Sequence, residues 1–148
     1  MKKNIIDSIR RSECAVSMAL DAVGDKWSLL ILRDLMFSDK RTYGELQASE
    51  ERIATNILAS RLVTLEANNL IRKKADPADS RRILYFLTEK GIHLVPVVIE
   101  LMQWMSKFNP EASACTGNTK AYKKDRVGLY KEIIADLKKL HEVKSGKV

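Results

Sequence analysis

Between residues 42 and 88 the hydrophobic rhythm of this chain changes from helical to extended, and that order restricts the fold more than any other feature. Thr42 followed by Glu45 in TYGELQ is a capping box: the hydroxyl takes a backbone N–H of the first turn, and the carboxylate reaches back to the cap. Tyr43, Leu46 and Gln47 then fit a short helix. After the polar break SEERI, the run ATNILASRLVTLEANN places Leu58, Leu62 and Leu65 on one face, flanked by Ala54 and Arg61. At about 100° per residue the opposite face presents Asn56, Ser60 and Val63, with Ala59 and Thr64 at its edges. Asn68 and Asn69 can end the helix. The period then becomes that of strands: LIRKKAD, a turn from Pro77 to Ser80, and RRILYFLT, rich in β-branched and aromatic residues. Two helices joined by a brief turn and followed at once by a hairpin predict a winged helix-turn-helix, with the hairpin as wing.

The flanking segments read as helices that pack this unit. CAVSMALDAV, residues 14–23, is apolar around much of a helical wheel and stops at Gly24. Asp25 is placed to cap DKWSLLILRDLMF, where Trp27, Leu30, Ile31, Leu35 and Met36 keep helical spacing and Leu29 and Leu32 widen the stripe. Thr88 caps TEKGIHLVPVVIELMQWMSKF, which Pro96 should kink or divide. Its two apolar rows (Ile92, Val95, Ile99, Met102 and Leu94, Val98, Leu101, Met105) call for two partners: the domain's own core and a second copy of the chain. Residues 109–122 read as a linker. Residues 123–143 read as a basic amphipathic helix with Tyr130, Ile133, Ile134, Leu137 and Leu140 as its stripe. That helix is expected to pack on a partner subunit, with its lysines on a nucleic acid as the alternative. The expected fold is mainly α with a small β-hairpin: a winged-helix domain over residues 1–108, then dimerisation helices.

Size and composition fit one such domain: 148 residues, 45% of them apolar. No window holds the roughly 18 uncharged apolar residues that a membrane span needs, and MKKNIIDSIRRSEC lacks the apolar stretch of a signal peptide. Cys14 and Cys115 match no metal or redox spacing and suggest a reducing compartment, so a cytoplasmic protein without membrane contact is expected. There is no P-loop, GxGxxG, HExxH or GxSxG motif, and His93 and His141 lie on helices explained by packing. Neither enzymatic activity nor a cofactor or metal is expected.

The net charge of +7 is unevenly placed. Residues 72–82 hold five Lys/Arg against two Asp, and residues 120–148 nine against four, whereas residues 14–71 hold six against eight acids. Cations confined to the hairpin and the chain ends point to contact with a polyanion at chosen places. Affinity for B-DNA comes largely from neutralised phosphates, each adding about 0.9 to the magnitude of the salt slope. The second helix of the pair offers only Arg61, which is equally suited to an internal ion pair with Glu66, Glu45 or an aspartate. Lys73, Lys74, Arg81 and Arg82 on the wing are therefore the expected phosphate contacts, with Lys40 and Arg41 as a second set. Thr55, Asn56, Ala59, Ser60 and Val63 are the expected major-groove face, where Asn56 suits the N6 and N7 of adenine. The same fold also serves as an RNA-binding or protein-binding module, which is the competing reading. Small polar side chains on the outward face favour a groove over a protein partner.

Taken together, Cys14, GDKWSLLILRDL, RTYGEL, IATNILASRLVTLEANNLI, the R-x-L-Y-x-L-T-E-K-G run and LVPVVIELMQW resemble the HxlR-type winged-helix transcriptional regulators of bacteria, over about three fifths of the chain. The resemblance implies a homodimer on a pseudo-palindromic operator, a reading helix that starts near Ala54, and dimer contacts from the helices beyond the wing. Two departures stand out. Members commonly stop soon after the segment ending at Phe108, whereas this chain continues for about forty residues. The positions of Thr55 and Asn56 often carry Pro and Lys in the family, so base preference does not transfer. Some members sense oxidants or electrophiles through a cysteine at the place of Cys14. Here the thiol lies at an expected helix N-terminus with Arg10 and Arg11 upstream, which lowers its pKa; the alternative is a buried small hydrophobe. Cys115 could resolve an oxidised Cys14, or be a bystander.

Overall fold

The computed structural model describes residues 11–112 and 119–143. Its elements are α1 (Ala15–Val23), α2 (Ser28–Phe37), α3 (Tyr43–Gln47), α4 (Thr55–Ala67), β1 (Ile71–Ala75), β2 (Ile83–Leu87), α5 (Glu89–Ile92), α6 (Val95–Phe108), α7 (Thr119–Lys124) and α8 (Arg126–Leu140). The architecture is mainly helical with one antiparallel hairpin, registered so that Ile71 faces Leu87 and Ala75 faces Ile83. Arg81 and Arg82 fall in the turn rather than on the strand. Arg10 and Cys115 lie outside the described residues. Among those described, no helix is long and apolar enough to cross a membrane.

Local chemistry sets most of these boundaries. Asp25 accepts from the amides of Trp27 (2.9 Å) and Ser28 (3.0 Å) and from the Ser28 hydroxyl, so it caps the turn that opens into α2. The Thr42–Glu45 capping box is complete. α4 ends in a Schellman motif: Asn69 is left-handed (φ 57°), Leu70 N–H reaches Leu65 O (2.9 Å) and Asn69 N–H reaches Glu66 O (3.0 Å). The run after Thr88 is divided at His93 and Leu94, which leaves Pro96 in the first turn of α6 where its missing N–H removes no helical bond.

The core forms around α2, with Ile31, Leu32, Leu35 and Met36 packed against Leu58 and Leu65 of α4, Leu87 of β2, and Ile92, Val95 and Ile99 beyond it. Gly91 sits where the hairpin's base meets α5: a Cβ there would lie 2.1 Å from the Leu70 carbonyl oxygen.

α8 packs on its own chain, contrary to its expected place on a partner subunit. Leu137 joins the core, and Tyr130, Ile133 and Ile134 lie against it. Glu100 of α6 accepts from Tyr130 (2.5 Å), Tyr122 (3.1 Å) and Arg126 (3.3 Å), and Lys138 pairs with Glu89 of α5 (2.8 Å). The last four residues of the stretch read as a linker, 119–122, therefore belong to α7, whose Tyr122 contributes one of these bonds.

The two rows expected on α6 are only half realised. Ile92, Val95 and Ile99 are buried, but Val98 of the second row is buried as well. Leu101 and Met105 of the second row do face outward, and Val97, Trp104 and Phe108, which neither row included, are exposed beside them, the last at 70%. The first row thus holds across the break before Val95, with Met102 also packed on the core, whereas the second is split within α6.

Candidate nucleic-acid interface

Every residue expected on the outward face of α4 is exposed: Thr55, Asn56, Ala59, Ser60 and Val63. Leu58, Leu62 and Leu65 anchor the opposite face in the core, and this fixes the rotation of the helix. The start of α4 is tied to α3 by the Tyr43 hydroxyl, which donates to Thr55 O at 2.7 Å. Arg61 turns away from the exposed face to Asp25 (3.6 Å), the aspartate among its expected alternatives.

The hairpin stands beside this face. Lys73 of β1 pairs with Glu66 of α4 at 3.0 Å, and Arg82 approaches Glu45 of α3 at 3.9 Å. Between them Tyr43, Ala59, Val63, Lys73 and Tyr85 line a cleft of about 180 Å³. The half-buried Tyr85, whose phenol is pushed above its ordinary pKa chiefly by burial, joins wing to helix. Nothing in the local sequence marks it for that place, because the contact depends on how the wing docks.

The wing's cations are differently engaged. Arg81, 91% exposed, pairs among the described residues with Asp79 of the turn (3.3 Å). Arg82 sits loosely between Glu45 and Asp76 (3.8 Å), and Lys74 meets Glu142 at 3.2 Å. Exposed pairs of this kind contribute about 1 kcal/mol or less, so a phosphate can replace the carboxylate at small cost. Asp76 and Asp79 do not cancel the wing's charge at random. Their carboxylates accept from the amides of Ala78 (2.9 Å) and Arg81 (3.1 Å), and so shape the turn.

Lys40 and Arg41 depart from expectation. Asp34 is buried, and it holds the Lys40 ammonium (2.9 Å), the Arg33 guanidinium (2.7 Å) and the Ser49 hydroxyl. A buried carboxylate needs such partners to offset its desolvation, and it draws Lys40 inward. Arg41 donates to the carbonyls of Leu35 (3.1 Å) and Lys40 (2.8 Å), and burial holds its pKa below the ordinary value. Both residues brace the turn between α2 and α3 rather than facing outward. Asp34 was the unrecognised residue: an acid within an apolar helix is the one local signal that could have revealed it.

Cys14 is exposed and forms the N-cap of α1. Its pKa is lowered by the amides of Ser17 and Val16. The expected contribution of Arg11 is absent, since that side chain pairs with Asp21 at 2.7 Å.

A helix pair with one face outward and a hairpin docked beside that face define a winged helix-turn-helix architecture. A sequence profile of the HxlR-like helix-turn-helix family matches residues 22–113, and the chain belongs to that family as a transcriptional regulator, not an enzyme. It is similar to the HTH-type transcriptional regulator sll1512 of Synechocystis, with 32% identity over 70% of this chain and 79% of that one. It is also 33% identical to the regulator YodB of Bacillus subtilis over 66% of this chain and 87% of YodB. The reduced form of YodB superposes with a TM-score of 0.55, covering 70% of this chain and all (100%) of that one. The redox regulator HypR in its oxidised form gives a TM-score of 0.55 at 25% identity, over 65% and 98% of the two chains.

Proposed function

We propose that this protein is a cytoplasmic homodimer that binds a pseudo-palindromic duplex DNA operator. α4 enters the major groove, and Lys73, Lys74, Arg81 and Arg82 grip the adjacent phosphates. The observation that carries this reading is the placement of the hairpin's cations directly beside the exposed, nearly uncharged face of α4. Thr55, Asn56 and Ser60 offer donors and acceptors to base edges, while Ala59 and Val63 present apolar contact to a thymine methyl. The inward turn of Lys40 and Arg41 leaves the wing as the main phosphate clamp. Changing Arg81 and Arg82 to Ala is expected to weaken binding to every duplex alike and to reduce the salt slope by about two, measured by fluorescence anisotropy across a salt series. Equal affinity for RNA hairpins, or a loss confined to one DNA sequence, would contradict this reading.

The homodimer is supported by the apolar stripe on α6 and by Val16 and Leu20 of α1, which are 67% and 54% exposed. Large apolar side chains left exposed on an otherwise charged molecule suit a self-complementary contact.

Cys14 is proposed as an oxidant-responsive thiol. An exposed sulfur whose ionised form is stabilised by helix amides is the reactive kind, and the likeness to HypR agrees. Cys14→Ser is expected to bind duplex DNA as the parent does and to lose any inhibition by diamide. Unchanged sensitivity to diamide would remove the sensor role.

A further inference from the structure

A lone two-stranded hairpin is marginal in water, and its outer edge carries unpaired amides. On β2 two of those edge donors have partners from outside the sheet. Tyr85 N–H reaches Arg41 O at 2.7 Å, and two residues further Leu87 N–H reaches Nδ1 of His141 at 2.9 Å. An imidazole from the far end of the chain thus continues the edge that Arg41 begins. Because a backbone amide can only donate, Nδ1 must be the acceptor and Nε2 carries the proton. That Nε2–H points to Leu35 O at 3.2 Å, one of the carbonyls left without a helical partner at the end of α2.

The other strand is held by the same turn of chain. Arg72 donates to His141 O at 2.6 Å while lying over the Phe86 ring (4.8 Å), and Lys74 pairs with Glu142. The imidazole itself meets Phe86 edge-on, with centroids 6.1 Å apart, and is wholly buried. α8, which delivers His141, is fastened to α5 and α6 through Glu89 and Glu100. A continuous path of packed and bonded groups therefore runs from α6 through α8 to the stem of the wing.

We infer that His141 is a positioning residue for the wing: the segment that follows the family's matched region fixes both strands at their base, and so sets where Arg81 and Arg82 stand beside α4. The inference rests on the DNA-binding reading above. A wing that must be ordered at the moment of binding loses affinity to that ordering, whereas one held at its stem presents its cations in place.

The test is a cycle between His141→Ala and the Arg81→Ala/Arg82→Ala pair in the full chain, using a fluorescein-labelled random-sequence duplex across a salt series, with amide exchange followed in parallel. His141→Ala is expected to speed exchange at Leu87, weaken duplex binding about three- to tenfold and lower the salt slope by about one to two. His141→Asn, whose side-chain oxygen can still accept from Leu87 N–H, is expected to restore most of the affinity. In the Arg81→Ala/Arg82→Ala background, His141→Ala is expected to cost clearly less than in the parent, because only Lys73 and Lys74 remain to be misplaced. A folded His141→Ala protein with parental affinity and slope overturns the inference, as does an equal loss in both backgrounds. If His141→Ala does not fold, Arg72→Gln breaks the clamp at a half-buried site and carries the same cycle. If Arg81→Ala/Arg82→Ala leaves the slope unchanged, the DNA reading of the wing falls. Amide exchange at Leu87 then decides by itself whether His141 holds the hairpin.

Discussion

His141 shows how a residue with a plain sequence context acquires a definite state in the fold. Both ring nitrogens are committed, one accepting and one donating, and Arg41 and Arg72 stand nearby. Burial first, and then those guanidinium charges, push its pKa down from 6.5 to about 4. The unfolded chain therefore holds the proton more tightly than the folded one. The resulting stability is complete above 6.5 and is lost as pH falls toward about 4. Between about pH 7 and about pH 5 this amounts to about 2 kcal/mol. Urea unfolding at the two pH values is expected to show that loss in the parent and much less of it in His141→Asn; equal losses would show that another group titrates. Cys14 is the contrasting case. Its place at a helix start was legible from CAVSMALDAV, but the identity of the groups that lower its pKa was not. Arg11 is drawn away by Asp21, ten positions along the chain, so nearness in sequence was a poor guide to its field.

At the level of elements, the capping box, the two strands and the break near Pro96 were legible because each depends on residues within one or two turns. The glycine that follows Glu89-Lys90 belongs to the R-x-L-Y-x-L-T-E-K-G run, yet its reason is spatial. α5 is packed so closely on the end of α4 that the Leu70 carbonyl occupies the space of a side chain at Gly91. Gly91→Ala must push backbone against backbone, and a cost of about 1–3 kcal/mol is expected from urea unfolding. A cost below about 0.5 kcal/mol would show that α5 can shift freely. On α6 the first apolar row was legible from its spacing, but the second is split, Val98 facing the core and Leu101 and Met105 facing out, because packing decides how far round the helix the core reaches. Lys40 and Arg41 were placed on phosphates because their loop adjoins the helix pair. The buried acid that claims Lys40 lies only six positions earlier, but on a face of α2 that only packing defines.

At the scale of the whole molecule, the C-terminal helix was expected on a partner and lies instead on its own chain. Its amphipathic stripe announced that it would be covered but not by what, since an apolar stripe is satisfied equally by its own core or by another copy. With α8 turned inward, the outward stripe on α6 is left for the proposed dimer. Trp104→Glu together with Leu101→Glu is expected to give a monomer by light scattering, with the fold intact by circular dichroism and operator affinity reduced at least about tenfold, because two half-sites are no longer engaged together. A double variant that remains dimeric would move the interface elsewhere.

By itself the sequence determined the local units: the order of helices and strands, the capped turn before α3, the exposed face of α4 and the cluster of charge on the wing. Each of these depends on periodicity, or on hydrogen bonds that close within a few residues. Only the tertiary structure decided which cations remain free, what covers the last helix, and that a histidine 54 positions beyond Leu87 completes the edge of the wing. Those outcomes follow from burial, which forces distant polar groups to find partners in one another once water has been removed.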